Sequence, residues 1–306
     1  MQIRALLYFD ELVRARSIRA AADKLNIQPT ALSRQIDALE HFFGTPLVER
    51  TSRGVRLTAA GELVAGKAGR TLREFDHVRQ LIEDLKGLKR GHVSICASGA
   101  TVANLLAPAL AEFSIEYPEV RIEVKIVSAR EALDALDSAE TDLAVTLFSD
   151  RRDATSVRAS AEITYDVIAA SGHPATRDQT IAIETLSRFP IAVPDRSFGA
   201  RKAFDRLFSG AGYELEPTFV TSSLEMLKEL VLRGAAVTLL PELTVLRECR
   251  AGLLAAIPVR DVAPVTTRID LCVAADRTLS FAASGLLTSL ECFMQREMTR
   301  KTAHGV

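Results

Sequence analysis

Apolar positions recur along this 306-residue chain in three successive textures. Up to about residue 58 they form short helical stripes broken by turns. MQIRALLYFDELV reads as an amphipathic helix interrupted by charge. Ser17 then caps a helix whose small residues, Ala20, Ala21 and Ala22, let another helix cross closely. Asn26-Ile27-Gln28 breaks it, and Pro29 suits the first position of the next helix, where no amide hydrogen is needed. In that helix Leu32, Ile36, Leu39 and Phe43 repeat at core spacing, Thr30, Ser33, Arg34 and Asp37 share the opposite face, and Gly44 closes the end. Arg50, Thr51, Ser52, Arg53 and Arg56 surround Gly54 in a basic hairpin.

The second texture runs from an N-cap at Thr58 through Ala59 to about Leu88. Val64, Thr71, Val78 and Leu85 recur every seven residues, as do Ala68, Phe75 and Ile82. Together they make a seam of close to four heptads. A helix of roughly 28 residues extends about 42 Å, more than a small domain can cover. These seven residues therefore predict a dimerisation helix, with burial on its own domain as the alternative.

Beyond Arg90-Gly91 short apolar runs alternate with helical stripes. HVSICAS, VRIEVKIVS, DLAVTLF, YDVIAAS, PIAVP, TFVT, AAVTLLPE and a segment near 268–275 read as strands. Helices are expected over 102–116, in EALDALDSA, from about Ala200, in SLEMLKELVLRG and from Leu279. This alternation predicts mostly parallel sheets covered by helices, in two subdomains. Ligands in such folds bind where strands end and helix N-termini aim amide hydrogens outward. That rule selects Ser98 and Thr101 after the first strand, Ser128 after the second and Thr146 within the third. It also selects Ser197 and Phe198 after PIAVP, and Thr221 after TFVT. Hydroxyls and amide dipoles favour a small organic anion such as a carboxylate, with Arg130, Arg196 and Arg201 as supplementary charges.

Short hydroxyls and an arginine near the start of a second helix suit base edges in a major groove, and a basic hairpin suits phosphates. A lone Arg34 would be an ordinary solvated charge, whereas the joint pattern is specific. The candidate DNA contacts are Gln28, Pro29, Thr30, Ser33 and Arg34 on the helix, with Arg50, Thr51, Arg53 and Arg56 on the hairpin. A net charge of −1 hides an uneven distribution. Residues 1–90 carry 16 Lys plus Arg against 11 Asp plus Glu, a net of +5, and the rest carry 22 against 28, a net of −6. A basic head on an acidic body would hold double-stranded DNA at one end. No signal peptide and no long apolar span stand in the sequence, so a cytoplasmic protein with no membrane contact is expected. Cys96, Cys249, Cys272 and Cys292 lie apart in apolar contexts, and the five histidines form no cluster. No metal or cofactor is expected, and a redox pair of cysteines is the lesser reading.

The first 61 residues resemble the N-terminal region of LysR-type transcriptional regulators. The matching elements are Ser17, Ala21-Ala22, Leu25, Gln28-Pro29, Leu32 to Ile36, Leu39-Glu40, Gly44, Pro46-Leu47, Arg50, Arg53-Gly54, Leu57-Thr58 and Gly61. Val48 stands where the family usually has phenylalanine. The weaker resemblance of the remainder implies a body like a periplasmic binding protein, crossed twice by the chain near Ala159 and Pro264. It also implies effector contacts in the segments above, with Thr101 in the best-matched one. Ala235-Ala236 departs from the usual glycine-containing pattern before Leu240-Pro241. The expected architecture is a winged helix-turn-helix at 1–58, a linker helix at 59–90 and an α/β regulatory domain at 91–306. The latter divides into subdomain I, about 91–159 and 265–306, and subdomain II, about 160–264.

The implied function is a sequence-specific regulator, homodimeric or homotetrameric, reading an inverted-repeat operator and modulated by a small molecule. RNA polymerase is an implied partner, because the sign of regulation depends on where the operator lies relative to its site. The alternative is a cytosolic solute-binding protein or an enzyme on the same α/β body. The former leaves the head unexplained, and the latter finds no GxSxG, Walker or HExxH motif.

Overall fold

The computed structural model describes residues 3–51, 54–85, 90–147, 152–196 and 198–304, with the backbone alone at Arg50, Leu85 and 297–304. The chain forms two compact units, Met1–Gly87 and Leu88–Val306.

In the first unit α1 (Ile3–Ala15), α2 (Ile18–Lys24) and α3 (Pro29–Phe43) precede a hairpin of β1 (Val48–Thr51) and β2 (Gly54–Leu57), and α4 (Ala59–Leu85) follows. Ser17 caps α2 by accepting the Ala20 amide, Pro29 opens α3, and Gly44 closes it in the left-handed region at φ 68°. Phe9 and Leu12 of α1, Ala21 and Ala22 of α2, and Leu32, Ile36 and Leu39 of α3 form one buried core. Phe43, expected in that stripe, is instead 42% exposed and meets Phe42 edge-on. Gly44 ends the helix before the stripe completes another buried turn.

The hairpin hangs on the helices by main-chain atoms. The Val55 amide donates to the Arg16 carbonyl at 3.0 Å, and a Cβ on Gly54 (φ +125°) would lie 2.6 Å from that oxygen. Glu40 Oε1 accepts the amides of Leu47 and Val48 at 2.7 and 2.9 Å, joining α3 to β1. Thr58 Oγ1 donates to the Pro46 carbonyl and accepts the Gly61 amide, which starts α4. There a Cβ on Gly61 would sit 2.0 Å from the Leu47 carbonyl, so no other residue fits.

The second unit runs through β3 (Gly91–Ala97), a 3-10 turn (Gly99–Thr101), a π-helical turn (Val102–Leu106) and α5 (Ala107–Glu116). It continues with β4 (Val120–Ile126), α6 (Ala129–Asp137), β5 (Leu143–Leu147), the sixteen-residue β6 (Thr155–Ala170) and α7 (Ile183–Leu186). Then come β7 (Ala192–Pro194), α8 (Gly199–Gly210), β8 (Phe219–Thr221), α9 (Leu224–Leu232), β9 (Thr238–Pro241) and α10 (Glu242–Arg250). The last elements are β10 (Leu254–Ile257), β11 (Val265–Ala274) and α11 (Phe281–His304). The helix expected over 102–116 is thus a π turn followed by an α-helix.

The main sheet has the order β10-β6-β11-β5-β3-β4, with β9 also on β6. It is mixed rather than mostly parallel. β3 runs parallel to β4 and β5, but β11 is antiparallel to both β5 and β6. The cause is that β6 and β11 carry the chain out of one subdomain and back, in opposite directions. Ala161 and Ile163 of β6 lie in one core with Leu271 and Leu286, while Tyr165, Val167 and Ala169 lie in the other with Phe204 and Leu239. β11 makes the matching passage, Val265 packing on the second core and Ile269 lying in the first.

Candidate functional site

On α3 the face opposite Leu32, Ile36 and Leu39 holds the candidate DNA contacts. Gln28, Pro29, Thr30 and Arg34 are exposed and Ser33 is half-buried. Gln28 occupies the N-cap position without spending its side chain on the cap. The side chain of Arg34 makes no ion pair or hydrogen bond with any described residue. On the hairpin Thr51 and Arg56 are exposed, and Thr51 Oγ1 donates to the Gly54 carbonyl at 3.0 Å. Arg53 and the Arg50 side chain lie outside the described residues. Glu49 stands opposite Arg56 across the hairpin, so the wing is not uniformly basic.

The heptad seam of α4 divides. Ala68 is 2% exposed within the core of the head and Val64 packs against it, so these two positions face their own domain. Seven-residue spacing alone cannot separate an intramolecular from an intermolecular seam, because both need one apolar stripe. Thr71 is half-buried, with its hydroxyl bonded to the Lys67 carbonyl one turn back. Further along, Phe75, Val78 and Ile82 are each about half exposed, an apolar face that the chain itself leaves open. The Leu85 side chain lies outside the described residues.

A cleft opens in the second unit where β3, β5, β7 and β8 end, and β6 and β9 pass behind it. Its wall comprises Leu147, Tyr165, Leu224, Leu227, Leu239 and Leu240, with Pro194, Phe198 and four small residues, Ala100, Ala129, Gly199 and Ala200, completing it. Ser98, Thr221 and Ser222 supply hydroxyls, and Gly99 supplies backbone. Of the expected effector residues the cleft brings together Ser98, Phe198 and Thr221, and Ser197 lies outside the described residues.

Three others point elsewhere. Thr101 is fully buried, and its hydroxyl donates to the Ser98 carbonyl at 2.8 Å, so it fastens the turn instead of facing a ligand. Ser128 closes a capping box with Glu131, the two side chains 2.7 Å apart, and its neighbour Ala129 lines the cleft. Thr146 is buried opposite Asp270 in the sheet, and strand alternation gives the cleft to Leu147. The expected cations are also missing from the wall. Arg201 is buried and paired with Asp205 at 2.9 Å, and Arg130 and Arg196 are exposed outside the lining.

The cysteines have no common chemistry. Cys96 and Cys272 share one face of the sheet, but both align with Ala144 on the strand between them. Two strand spacings separate them by about 9.5 Å, too far for a disulfide. Burial raises the thiol pKa of both, that of Cys272 and of Cys249 to about 11, which keeps all three protonated at neutral pH. Among the described residues no cluster of His, Cys, Asp and Glu could hold a metal ion, and no helix is long and apolar enough to cross a membrane.

A winged head followed by a two-core α/β body with a cleft at its strand ends defines an effector-linked, DNA-binding regulator. Residues 3–62 match the bacterial regulatory helix-turn-helix model of the lysR family, and residues 86–294 match the LysR substrate binding domain. The chain belongs to the LysR family of transcriptional regulators, which are not enzymes. It is 27% identical over 232 residues to the transcriptional activator CmpR of Synechocystis, covering 76% of each chain. It is 28% identical over 255 residues to a RuBisCO operon transcriptional regulator of Acidithiobacillus ferrooxidans, covering 83% of this chain and 82% of that one. The fold resembles the LysR-family regulator CbnR, with TM-score 0.70 and 20% identity over 96% of this chain and 99% of that one. It also resembles full-length OxyR of Pseudomonas aeruginosa, with TM-score 0.68 and 19% identity over 95% and 94%.

Proposed function

We propose that this regulator works in the cytoplasm as a homodimer, or a pair of dimers, on an inverted-repeat duplex operator. α3 enters the major groove, with Thr30, Ser33 and Arg34 toward base edges and Gln28 and Pro29 near the backbone. The hairpin, through Arg50, Thr51, Arg53 and Arg56, lies along phosphates. Phe75, Val78 and Ile82 pair α4 with its counterpart and set the spacing of the two heads. An effector contacts Ser98, Phe198 and Thr221 in the cleft, where Thr101 and Ser128 hold the turns around it. The observation that carries this reading is the exposed Arg34, without an ion pair or hydrogen bond among the described residues, opposite the buried Leu32, Ile36 and Leu39 of the same helix.

Binding of specific and scrambled duplexes across a salt series tests it. Arg34→Ala should cost about 1–3 kcal/mol on the operator and little on scrambled DNA. Arg56→Ala should weaken both alike and lower the salt slope by about one. Identical behaviour of the two variants on both duplexes would overturn the assignment of reading helix and wing.

A further inference from the structure

We infer that the cleft takes an effector with a mainly hydrocarbon body, up to about the size of a six-membered ring, and a single hydrogen-bonding end. This rests on the reading of the cleft as the effector site, and it moves the weight from the anionic group of the small organic anion that strand-end chemistry suggests to the hydrocarbon body that carries it. Among the described residues no Lys, Arg, His, Asp or Glu stands in the lining. Of the three candidate cations, Arg201 is buried, paired with Asp205 at 2.9 Å and absent from the lining, and Arg130 and Arg196 stand exposed outside it.

The cavity volume is about 100 Å³. An apolar cavity of about 150 Å³ lined by Leu, Ile and Phe is known to hold benzene; this one has about two-thirds of that volume, so a six-membered ring is the upper size, seated with its polar end toward the open mouth. A polyanion or sugar would set several desolvated polar groups against Leu147, Leu227, Leu239 and Leu240, none of which can hydrogen-bond. One polar end, by contrast, meets donors enough. The Ser98 and Ser222 hydroxyls line the cleft, and α8 starts at Gly199 with no side-chain cap on its first amides. A single carboxylate or hydroxyl satisfies that arrangement at one end of the cleft, while the leucine wall offers no partner to a polar group along the rest of the body. The Thr221 hydroxyl accepts the Ser223 amide at 3.1 Å, which fills one of its two acceptor sites and keeps its proton for a ligand.

Methyl NMR of the leucine-labelled full chain reads the walls directly. The probes are the n-alkanoates of three to seven carbons, the 1-alkanols of equal length, citrate and inorganic phosphate. Affinity should rise about fourfold per added methylene in both the acid and alcohol series until the cavity fills. The methyl signals of Leu147, Leu224, Leu227 and Leu239 should move, and citrate and phosphate should bind at least tenfold more weakly than hexanoate. Tighter binding of citrate or phosphate, or affinity independent of chain length, overturns the inference.

Leu224→Arg should weaken hexanol about tenfold and strengthen citrate. Should that variant melt early, Ala129→Leu fills the same space without charge and should end the chain-length dependence before six carbons. Unchanged hexanol affinity in the folded variant also overturns the inference. Duplex binding measured on the same samples keeps the readings apart. Lost DNA binding by the wild type counts against the regulator itself, and a flat probe series with DNA binding intact counts against this ligand class alone.

Discussion

The head displays the residues proposed to read DNA outward from a buried core: Gln28, Thr30 and Arg34 are exposed while Leu32, Ile36 and Leu39 beneath them are at most 1% exposed. The body does the reverse. Its proposed binding surface is the inside of a cleft walled by Leu147, Tyr165, Leu227 and Leu239, residues that in any other place would be counted as core. The two regions start helices in comparable ways, Gln28 before α3 and Phe198 before α8, both N-caps without a side-chain bond. What differs is the solvent each helix end faces. In open water beside a polyanion, charge and hydroxyls do the recognising. In a narrow apolar cleft an unpaired charge is too costly, and shape with one or two polar atoms decides.

The comparison breaks most visibly if the exposed half of α4 is made charged. Phe75→Lys with Val78→Lys places like charges across any paired seam, so the oligomer should fall apart while both units keep their separate melting transitions. Operator affinity should drop toward that of a single head, read by sedimentation and footprinting on the same sample. Wild-type sedimentation with an unchanged footprint would show that pairing lies elsewhere. A smaller effect, confined to the head, should follow Gly61→Ala. Its new Cβ meets the Leu47 carbonyl at 2.0 Å, so destabilisation of about 3 kcal/mol, the upper end of overpacking costs, is expected in the first unit alone. Calorimetry resolving two transitions should show only one of them moving. Smallest is Ser128→Ala, which removes the cap of α6 and should cost about 1 kcal/mol in the body. Hexanoate affinity should stay within about twofold of wild type, since it is Ala129 and not Ser128 that faces the cleft. A tenfold loss would return Ser128 to the binding surface.

Much of the head is legible in its sequence because its devices are polar or glycine exceptions to a regular stripe. Ser17, Pro29, Gly44, Thr58 and Gly61 each stand at a cap, start or close approach that only a few residue types satisfy. In the body the strand-end rule finds the right segments and three of the lining side chains, Ser98, Phe198 and Thr221, but not the apolar wall. It chooses hydroxyls, and hydroxyls at strand ends are mostly consumed by local bonds, as Thr101 and Ser128 are. The leucines that line the cleft carry no signal, since a strand or helix buried against a cavity has the same pattern as one buried against a core. Sheet direction is hidden for a related reason. The long β6 and β11 join two cores, and periodicity within each strand says nothing of which neighbour it runs beside. The half-packed, half-open α4 likewise needs coordinates, because one apolar repeat serves both partners.

The attachment of the wing has an evolutionary consequence. Its bond to the turn between α1 and α2 runs from the Val55 amide to the Arg16 carbonyl, and its bonds to α3 run from the Leu47 and Val48 amides to Glu40. Four of the five partners in this frame act through main-chain groups, so among the hydrogen-bonding side chains it constrains Glu40 alone, beside the two tight glycines. On the proposed reading, substitutions at Thr30, Ser33 or Arg34 change the base sequence that is read without altering how far the hairpin reaches. Descendants of such a head can diverge rapidly in the words they recognise while keeping half-sites of constant length.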